Sequence, residues 1–374
     1  MKKNLLILAV AALAFASCSN DETVAVNNSG GNEISFRPLV NGVTRAADIN
    51  ATTLETTGFY VSARKHSPDA EFFTDAAYTT FTDGTPKTWT CATKYYWPSD
   101  DSELDFYAYA PAATGQITAH ANYKTFTVQP STTISEQVDL IFANTNGKRK
   151  SVDKNGVVLN FRHTEAKIVC KVQNTSSSLK FGVEGWKVGY LSPAGTFTYA
   201  DSNTEGNNSG TLTFAQWGSL TAASVATEYS STFSKVDIAA GASATALGGE
   251  MILIPQTLTA ATDYASTANE AKLNGSFIAV KLYILNNANS ELIAGGGSTV
   301  SPTTIWAIWP IGGYNWEPGK KYTYTIDLAG GGYYETNQVD TDENLDQLLG
   351  GAEIKFVSVT VDDWTDVAKA VPES

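Results

Sequence analysis

Apolar and polar residues alternate one for one in short runs along most of this chain. Glu33-Ile-Ser-Phe-Arg-Pro-Leu-Val40 puts Ile34, Phe36, Pro38 and Val40 on one face. Leu104-Asp-Phe-Tyr-Ala-Tyr109, Ala166-Lys-Ile-Val-Cys-Lys-Val172 and Ile354-Lys-Phe-Val-Ser-Val-Thr-Val361 alternate in the same way. A period of two is the mark of a half-buried strand. Asn41-Gly42, Asp83-Gly84 and Asn155-Gly156 punctuate the runs as turns. Pro38 has no N–H for a ladder, which restricts its strand to an edge or a bulge. Helical periodicity is scarce. The acidic segment 338–350, with Leu345, Leu348 and Leu349, is predicted as a short helix, and the Ala/Ser/Thr-rich stretch 222–249 as irregular loop. Many short strands between turn clusters predict an all-β protein of sandwich or barrel type.

The first residues follow a different pattern. Lys2 and Lys3 precede an apolar run from Leu5 to Phe15, and small Ala16 and Ser17 stand before Cys18. A basic start, an apolar stretch and small residues before a cleavage point read as an export signal. The run is shorter than the roughly 20 apolar residues that span a bilayer. A cysteine at the cleavage point resembles the bacterial lipoprotein signal, in which the thiol takes a diacylglycerol group; the other reading is an ordinary signal with a chance cysteine. Residues 19–32 are polar and aperiodic, as in a flexible tether.

With 374 residues, 43% of them hydrophobic, the chain can fill two cores of ordinary size. The sharpest internal break in composition is Asn144-Thr-Asn-Gly-Lys-Arg-Lys-Ser151 through Gly156. The predicted organisation is a signal over 1–17, a tether and N-terminal strand over 18–45, and β-sandwiches over 46–153 and 154–374. A net charge of −13 argues against nucleic acid, whose partners must neutralise phosphates. Beyond Cys18, the cysteines are Cys91 and Cys170. Cys170 alternates with Ile168 and Val172 as a buried small apolar residue would; a Cys91–Cys170 bridge is the alternative.

No catalytic constellation emerges. The three histidines are His66, His120 and His163, with no HExxH spacing, and no nucleophile elbow, phosphate loop or dinucleotide fingerprint is present. His163 reads as a structural or surface residue. Gly295-Gly-Gly297 and Gly330-Gly-Gly332 adjoin strands and read as turns. Asp340-Thr-Asp-Glu-Asn344 has alternating oxygens but lacks the glycine and closing glutamate of a calcium loop. No metal or cofactor is implied. Trp306, Trp309, Tyr314 and Trp316 read as core and rim, or alternatively as a carbohydrate platform.

Taken in order, these segments resemble the fimbrillins, the pilin subunits of type V pili, and their surface-lipoprotein relatives. The resemblance is carried by Cys18, Ile34-Ser-Phe36, Thr44-Arg-Ala46, Thr57-Gly-Phe-Tyr-Val61, Tyr95-Tyr-Trp-Pro98, Leu159-Asn-Phe-Arg-His163 with Ala166-Lys-Ile168, Trp316-Glu-Pro-Gly-Lys-Lys-Tyr322 and Val359-Thr-Val-Asp-Asp-Trp364. It implies two transthyretin-like β-sandwiches in tandem and a non-enzymatic structural or adhesive role. It also implies lipidation at Cys18, transport to the outer membrane and cell surface, and cleavage between Arg45 and Ala46 by an arginine-specific protease.

A strand built on Ile34, Phe36 and Val40 would leave an apolar groove with unpaired backbone when removed, and a neighbour's extended segment could refill it. In the fimbrillin scheme that donor is C-terminal; here it would be the strand with Val357, Val359 and Val361 on one face and Ile354 and Phe356 on the other. An ordinary final strand is the other reading. The implied partners are further fimbrillin subunits, identical or different, and the maturation protease. A lipoprotein of the same fold that stays anchored and binds a glycan or a host or bacterial surface ligand is the alternative function.

Overall fold

A computed structural model describes residues 32–40, 51–83, 88–112, 115–199, 216–260, 275–335, 345–348 and 356–363. Cys18, Arg45, Ala46, Ile354 and the segment Asp340–Asn344 lie outside them. The first strands are β1 (Phe36–Val40), β2 (Phe59–Lys65), β3 (Ala70–Thr82), β4 (Thr88–Cys91), β5 (Leu104–Ala110), β6 (Ile117–Asn122), β7 (Thr125–Val128), β8 (Ile141–Lys148) and β9 (Val157–His163). Then come β10 (Ala166–Gln173), β11 (Leu179–Leu191), β12 (Gly195–Thr198), β13 (Trp217–Gly218), β14 (Ser224–Ile238), β15 (Thr245–Ala246) and β16 (Met251–Leu253). The last are β17 (Phe277–Asn286), β18 (Leu292–Ala294), β19 (Gly296–Gly297), β20 (Pro302–Thr303), β21 (Ile305–Pro310), β22 (Lys320–Asp327), β23 (Gly332–Glu335), β24 (Leu345–Leu348) and β25 (Phe356–Asp363). The all-β class is the one the alternation predicts.

Seven strands close on themselves in the order β1-β4-β3-β2-β5-β8-β9, back to β1. Their inward side chains form one core that includes Ile34, Phe36, Phe59, Tyr78, Phe106 and Phe161. A second core lies between the sheet β15-β10-β22-β25 and the sheet β14-β11-β17-β21-β23-β24. Ile168, Cys170, Tyr324 and Ile326 meet Trp186, Val188, Val280 and Trp309 there. A third sheet, β13-β12-β7-β6, joins strands from both halves of the sequence. Its Phe126, Phe197, Tyr199 and Trp217 pack on Tyr107, Tyr109 and Phe142 of β5 and β8.

Several expectations need correction. The break placed at residue 154 precedes β9, yet β9 pairs with β1 and β8 in the closed barrel. The chain passes between the two groups of sheets at Thr164–Glu165, because β9 ends at His163 and β10 starts at Ala166. The predicted loop 222–249 contains β14, paired along β11. Tyr229 and Ile238 are buried core residues of that strand, and Phe233 and Val236 pack partly buried against the same core; the intervening Ser, Thr, Lys and Asp hid this period. The described part of the predicted helix 338–350 is β24, paired with β23. The α-helices among the described residues are α1 (Ala51–Thr57) and α2 (Lys150–Asp153).

Glycine and buried polar groups explain several motifs. Gly58 follows α1 at φ +65°, its N–H donating to Leu54 O at 3.0 Å, and a Cβ there would come within 2.8 Å of Tyr78 O. A left-handed backbone with no room for a side chain calls for glycine at this helix end. Cys91 and Cys170 are free thiols, and Cys170 is buried. His163 is buried, with Nδ1 2.9 Å from Asp139 Oδ1. Trp309 and Trp316 are core residues, Trp306 is partly covered and Tyr314 is exposed, so the four do not form one platform.

Candidate functional site

The strand β1 completes the barrel. It runs parallel to β9, with Phe36, Pro38 and Val40 opposite Val157, Leu159 and Phe161, and antiparallel to β4, with Phe36 opposite Trp89. Val157 N–H donates to Ser35 O at 2.9 Å, so the odd residues of β1 bond toward β9 and the even ones face β4. Pro38 is even. Its missing N–H therefore falls on the side where β4 pairing, among the described residues, is confined to Phe36. This resolves the apparent conflict between a proline and a strand with neighbours on both sides.

The residues leading into β1 are held as well. Ile34 N–H donates to Tyr95 O at 2.8 Å, Trp97 N–H donates to Asn32 O at 2.9 Å, and Glu33 pairs antiparallel with Tyr96. Glu33 also makes a surface ion pair with Lys94 at 2.9 Å. On the far side, Arg37 Nε donates to Gly156 O at 3.1 Å. Gly156 has φ +110°, and a Cβ there would lie 2.9 Å from Arg37 Cγ, so glycine both makes the turn and admits the arginine.

Phe36 is fully buried in an aromatic cage. Its ring centroid lies 4.6 Å from that of Tyr78, 5.2 Å from Phe106 and 6.1 Å from Phe59, all edge-on. Phe59 in turn meets Phe161 at 5.5 Å. Burying a side chain of this size is worth about 1.5–3 kcal/mol, and edge-to-face ring pairs add to it. Burial pushes the Tyr78 phenol well up, and its hydroxyl and Trp89 Nε1 have no hydrogen-bond partner among the described residues. The slot is therefore apolar apart from these two polar atoms.

Ile34 and Phe36 thus sit at the centre of this site, and Val40 is in β1 opposite Phe161. Of the residues around this slot, Phe59, Tyr95–Trp97 and Phe161 belong to the sequence motifs quoted above. Those separated motifs converge on one strand. Tyr78 and Phe106 carried no such signal, because their role depends on non-local pairing.

The other predicted element, β25, stands at the end of its sheet and pairs with β22. Val359 and Val361 are opposite Tyr324 and Tyr322. Phe356 is opposite Ile326, because the register shifts by one between Thr325 and Ile326. The extra residue of this bulge is Val357. Ser358 and Thr360, between them, are exposed.

A model of the family described as fimbrillin-like matches residues 44–364. The chain belongs to the fimbrillin-like family. A fimbrial protein from Bacteroides vulgatus has a similar solved structure, with 16% identity, a TM-score of 0.54, and coverage of 89% of this chain and 100% of that one. A candidate cell adhesion protein from Bacteroides uniformis is 15% identical, with a TM-score of 0.43 and coverage of 90% and 100%. The fimbrial anchor protein Mfa2 from Porphyromonas gingivalis is 9% identical, with a TM-score of 0.28 and coverage of 89% and 98%. No curated protein matches. For this fimbrillin-like chain, the similarity to the Bacteroides vulgatus protein supports the fold. Family motifs such as Trp316-Glu-Pro-Gly-Lys-Lys-Tyr322 acquire physical roles here. Trp316 Nε1 donates to Tyr324 Oη at 2.9 Å, and Tyr322 Oη accepts from Glu317 N–H at 2.7 Å and donates to Asn315 O at 3.0 Å.

Proposed function

We propose that this chain is a non-enzymatic fimbrial subunit of the cell surface, exported as a lipoprotein through Cys18, cut between Arg45 and Ala46, and joined to other subunits by strand exchange. The observation that carries the reading is the position of β1. One short strand bridges β4 and β9, and its Phe36 fills a closed aromatic cage. A cut after Arg45 leaves β1 held by non-covalent contacts alone. Its departure opens the barrel along β9 and exposes the slot, a template for another extended segment.

The donor in this account is the C-terminal strand of a second subunit, identical or different. Glu353-Ile-Lys-Phe356 repeats the pattern of Glu33-Ile-Ser-Phe36, so Ile354 and Phe356 can occupy the places of Ile34 and Phe36. Val357, Val359 and Val361 continue the strand. β25 pairs on one side with β22 at the end of its sheet, whereas a strand in the slot has β9 on one side and β4 and the Tyr95–Trp97 segment on the other. The additional backbone bonds and the filled cage favour the exchange once the original strand is gone.

The test uses the chain from Ser19 onward and an arginine-specific protease. A new N-terminus at Ala46, followed by SDS-resistant oligomers, is expected. Cleavage elsewhere, or persistent resistance at Arg45 in a folded chain, overturns the proposal.

A further inference from the structure

In a different sheet from β1, the outer face of strands β14, β11 and β17 carries a cavity of about 360 Å³. That volume falls within the roughly 300–1,000 Å³ of small-molecule sites. Its walls come from the adjacent strands β14, β11 and β17 and from the ribbon β19–β20. Lys180, Lys235, Asp237, Tyr283, Asn289 and Val300 are the residues whose chemistry matters.

The cavity is a product of glycine. A Cβ on Gly182 would lie 2.2 Å from Tyr283 Cζ, so the tyrosine ring can lie flat across β11. Gly295 has φ +104°, and a Cβ there would stand 2.5 Å from Thr303 O and 2.9 Å from Tyr283 Cβ. A Cβ on Gly296 or Gly297 would meet Thr303 Oγ1 at 2.5 Å or Ser301 O at 2.4 Å. Gly295-Gly-Gly297 is therefore more than a flexible turn. It lets the ribbon fold back beside Tyr283 as a wall, with Val300 at the rim almost fully exposed.

The polar groups are mixed in a way that suits one ligand class. Two ammonium groups face one carboxylate on a chain whose net charge is −13. Lys235 Nζ lies 3.4 Å from Asp237 Oδ1 and 6.0 Å from the Tyr283 ring centroid. Lys180 Nζ donates to Asn289 Oδ1 at 3.5 Å, long enough to yield to a stronger acceptor. A local excess of cations calls for an anion. Asp237 and the Asn289 amide call for hydroxyls on the same molecule, and Val300 offers an apolar edge.

We propose that this cavity binds a carboxylate-bearing sugar unit of a glycan, its carboxylate taken by Lys180 and Lys235 and its hydroxyls by Asp237 and Asn289. The site is separate from the β1 slot and does not depend on strand exchange. Asp237 gives selectivity, because it accepts from the several hydroxyls of a sugar and repels an inorganic anion, which brings more charge and fewer hydroxyls.

The test is a titration of the folded chain with glucuronate, N-acetylneuraminate, glucose and inorganic phosphate, followed by amide chemical shifts. Saturable shifts around Tyr283 and Asn289 with a carboxylated sugar, and none with glucose, are expected. Lys180→Gln and Lys235→Gln should each weaken binding about tenfold. Val300→Asp, at an exposed rim position, should weaken it without altering the fold. The preferred sugar acid distinguishes a uronate-bearing polysaccharide from a sialylated glycan. The absence of saturable shifts with either sugar acid, or equal binding of phosphate, overturns the assignment.

Discussion

Phe36 stands edge-on to Tyr78, with ring centroids 4.6 Å apart and ring planes at 89°. The contact joins the N-terminal strand to β3. Phe36→Ala removes that contact and leaves a cavity among Tyr78, Phe106 and Phe59. A loss of about 3–5 kcal/mol in unfolding free energy is expected from denaturant titration. Phe36→Leu keeps most of the volume and should cost less.

Tyr78→Phe should behave in the opposite way. The Tyr78 hydroxyl is buried without a partner among the described residues. Such a group costs about 1–3 kcal/mol when desolvated, so its removal should leave stability unchanged or raise it. A marked loss in the same denaturant titration would mean that the hydroxyl has a partner after all.

Gly58→Ala tests the link between α1 and the barrel. The left-handed conformation costs a non-glycine residue about 1–2 kcal/mol, and the close approach to Tyr78 O adds to it. Thermal unfolding should therefore shift down.

Glu165 is fully buried where the chain leaves β9 for β10, and Oε2 accepts from Leu140 N–H at 3.1 Å. Burial drives its carboxyl well above the usual range, opposed by that bond and reinforced by the nearby Asp139 charge. The folded state thus keeps this proton where the unfolded chain, with an ordinary glutamate near about 4.3, has lost it. Unfolding then releases a proton. This group's contribution is fully present below the unfolded value and declines by up to about 1.4 kcal/mol per pH unit as pH rises toward the folded value. Glu165→Gln should remove that decline and be more stable than the parent at neutral pH. Denaturant titrations of both proteins from acid to neutral pH check the sign.

Much of this architecture was legible because alternation is a local signal. Ile34 and Phe36 share a face by spacing alone, and Cys170 sits between Ile168 and Val172 as a core residue must. The errors arose where tertiary pairing decides. β14 was obscured because Ser231, Thr232 and Lys235 interrupt a stripe that only the register with β11 reveals. The leucines of 338–350 fit a helix, but Leu345–Leu348 pairs with β23. β9 lies beyond the compositional break, and nothing local says that Val157 bonds to Ser35, far earlier in the chain. Tyr78 and Phe106 were invisible as cage residues for the same reason. Cys18 and Arg45 rest on sequence pattern alone.

The most direct measurement is amide hydrogen exchange at β9 after cleavage at Arg45, with and without a peptide spanning 353–363. Val157 N–H donates to Ser35 O in the intact protein. The account predicts that β9 loses protection once β1 departs and regains it with the peptide, but not with a peptide carrying Phe356→Ser. Unchanged protection of β9 after β1 has left, or equal rescue by the Phe356→Ser peptide, would contradict it.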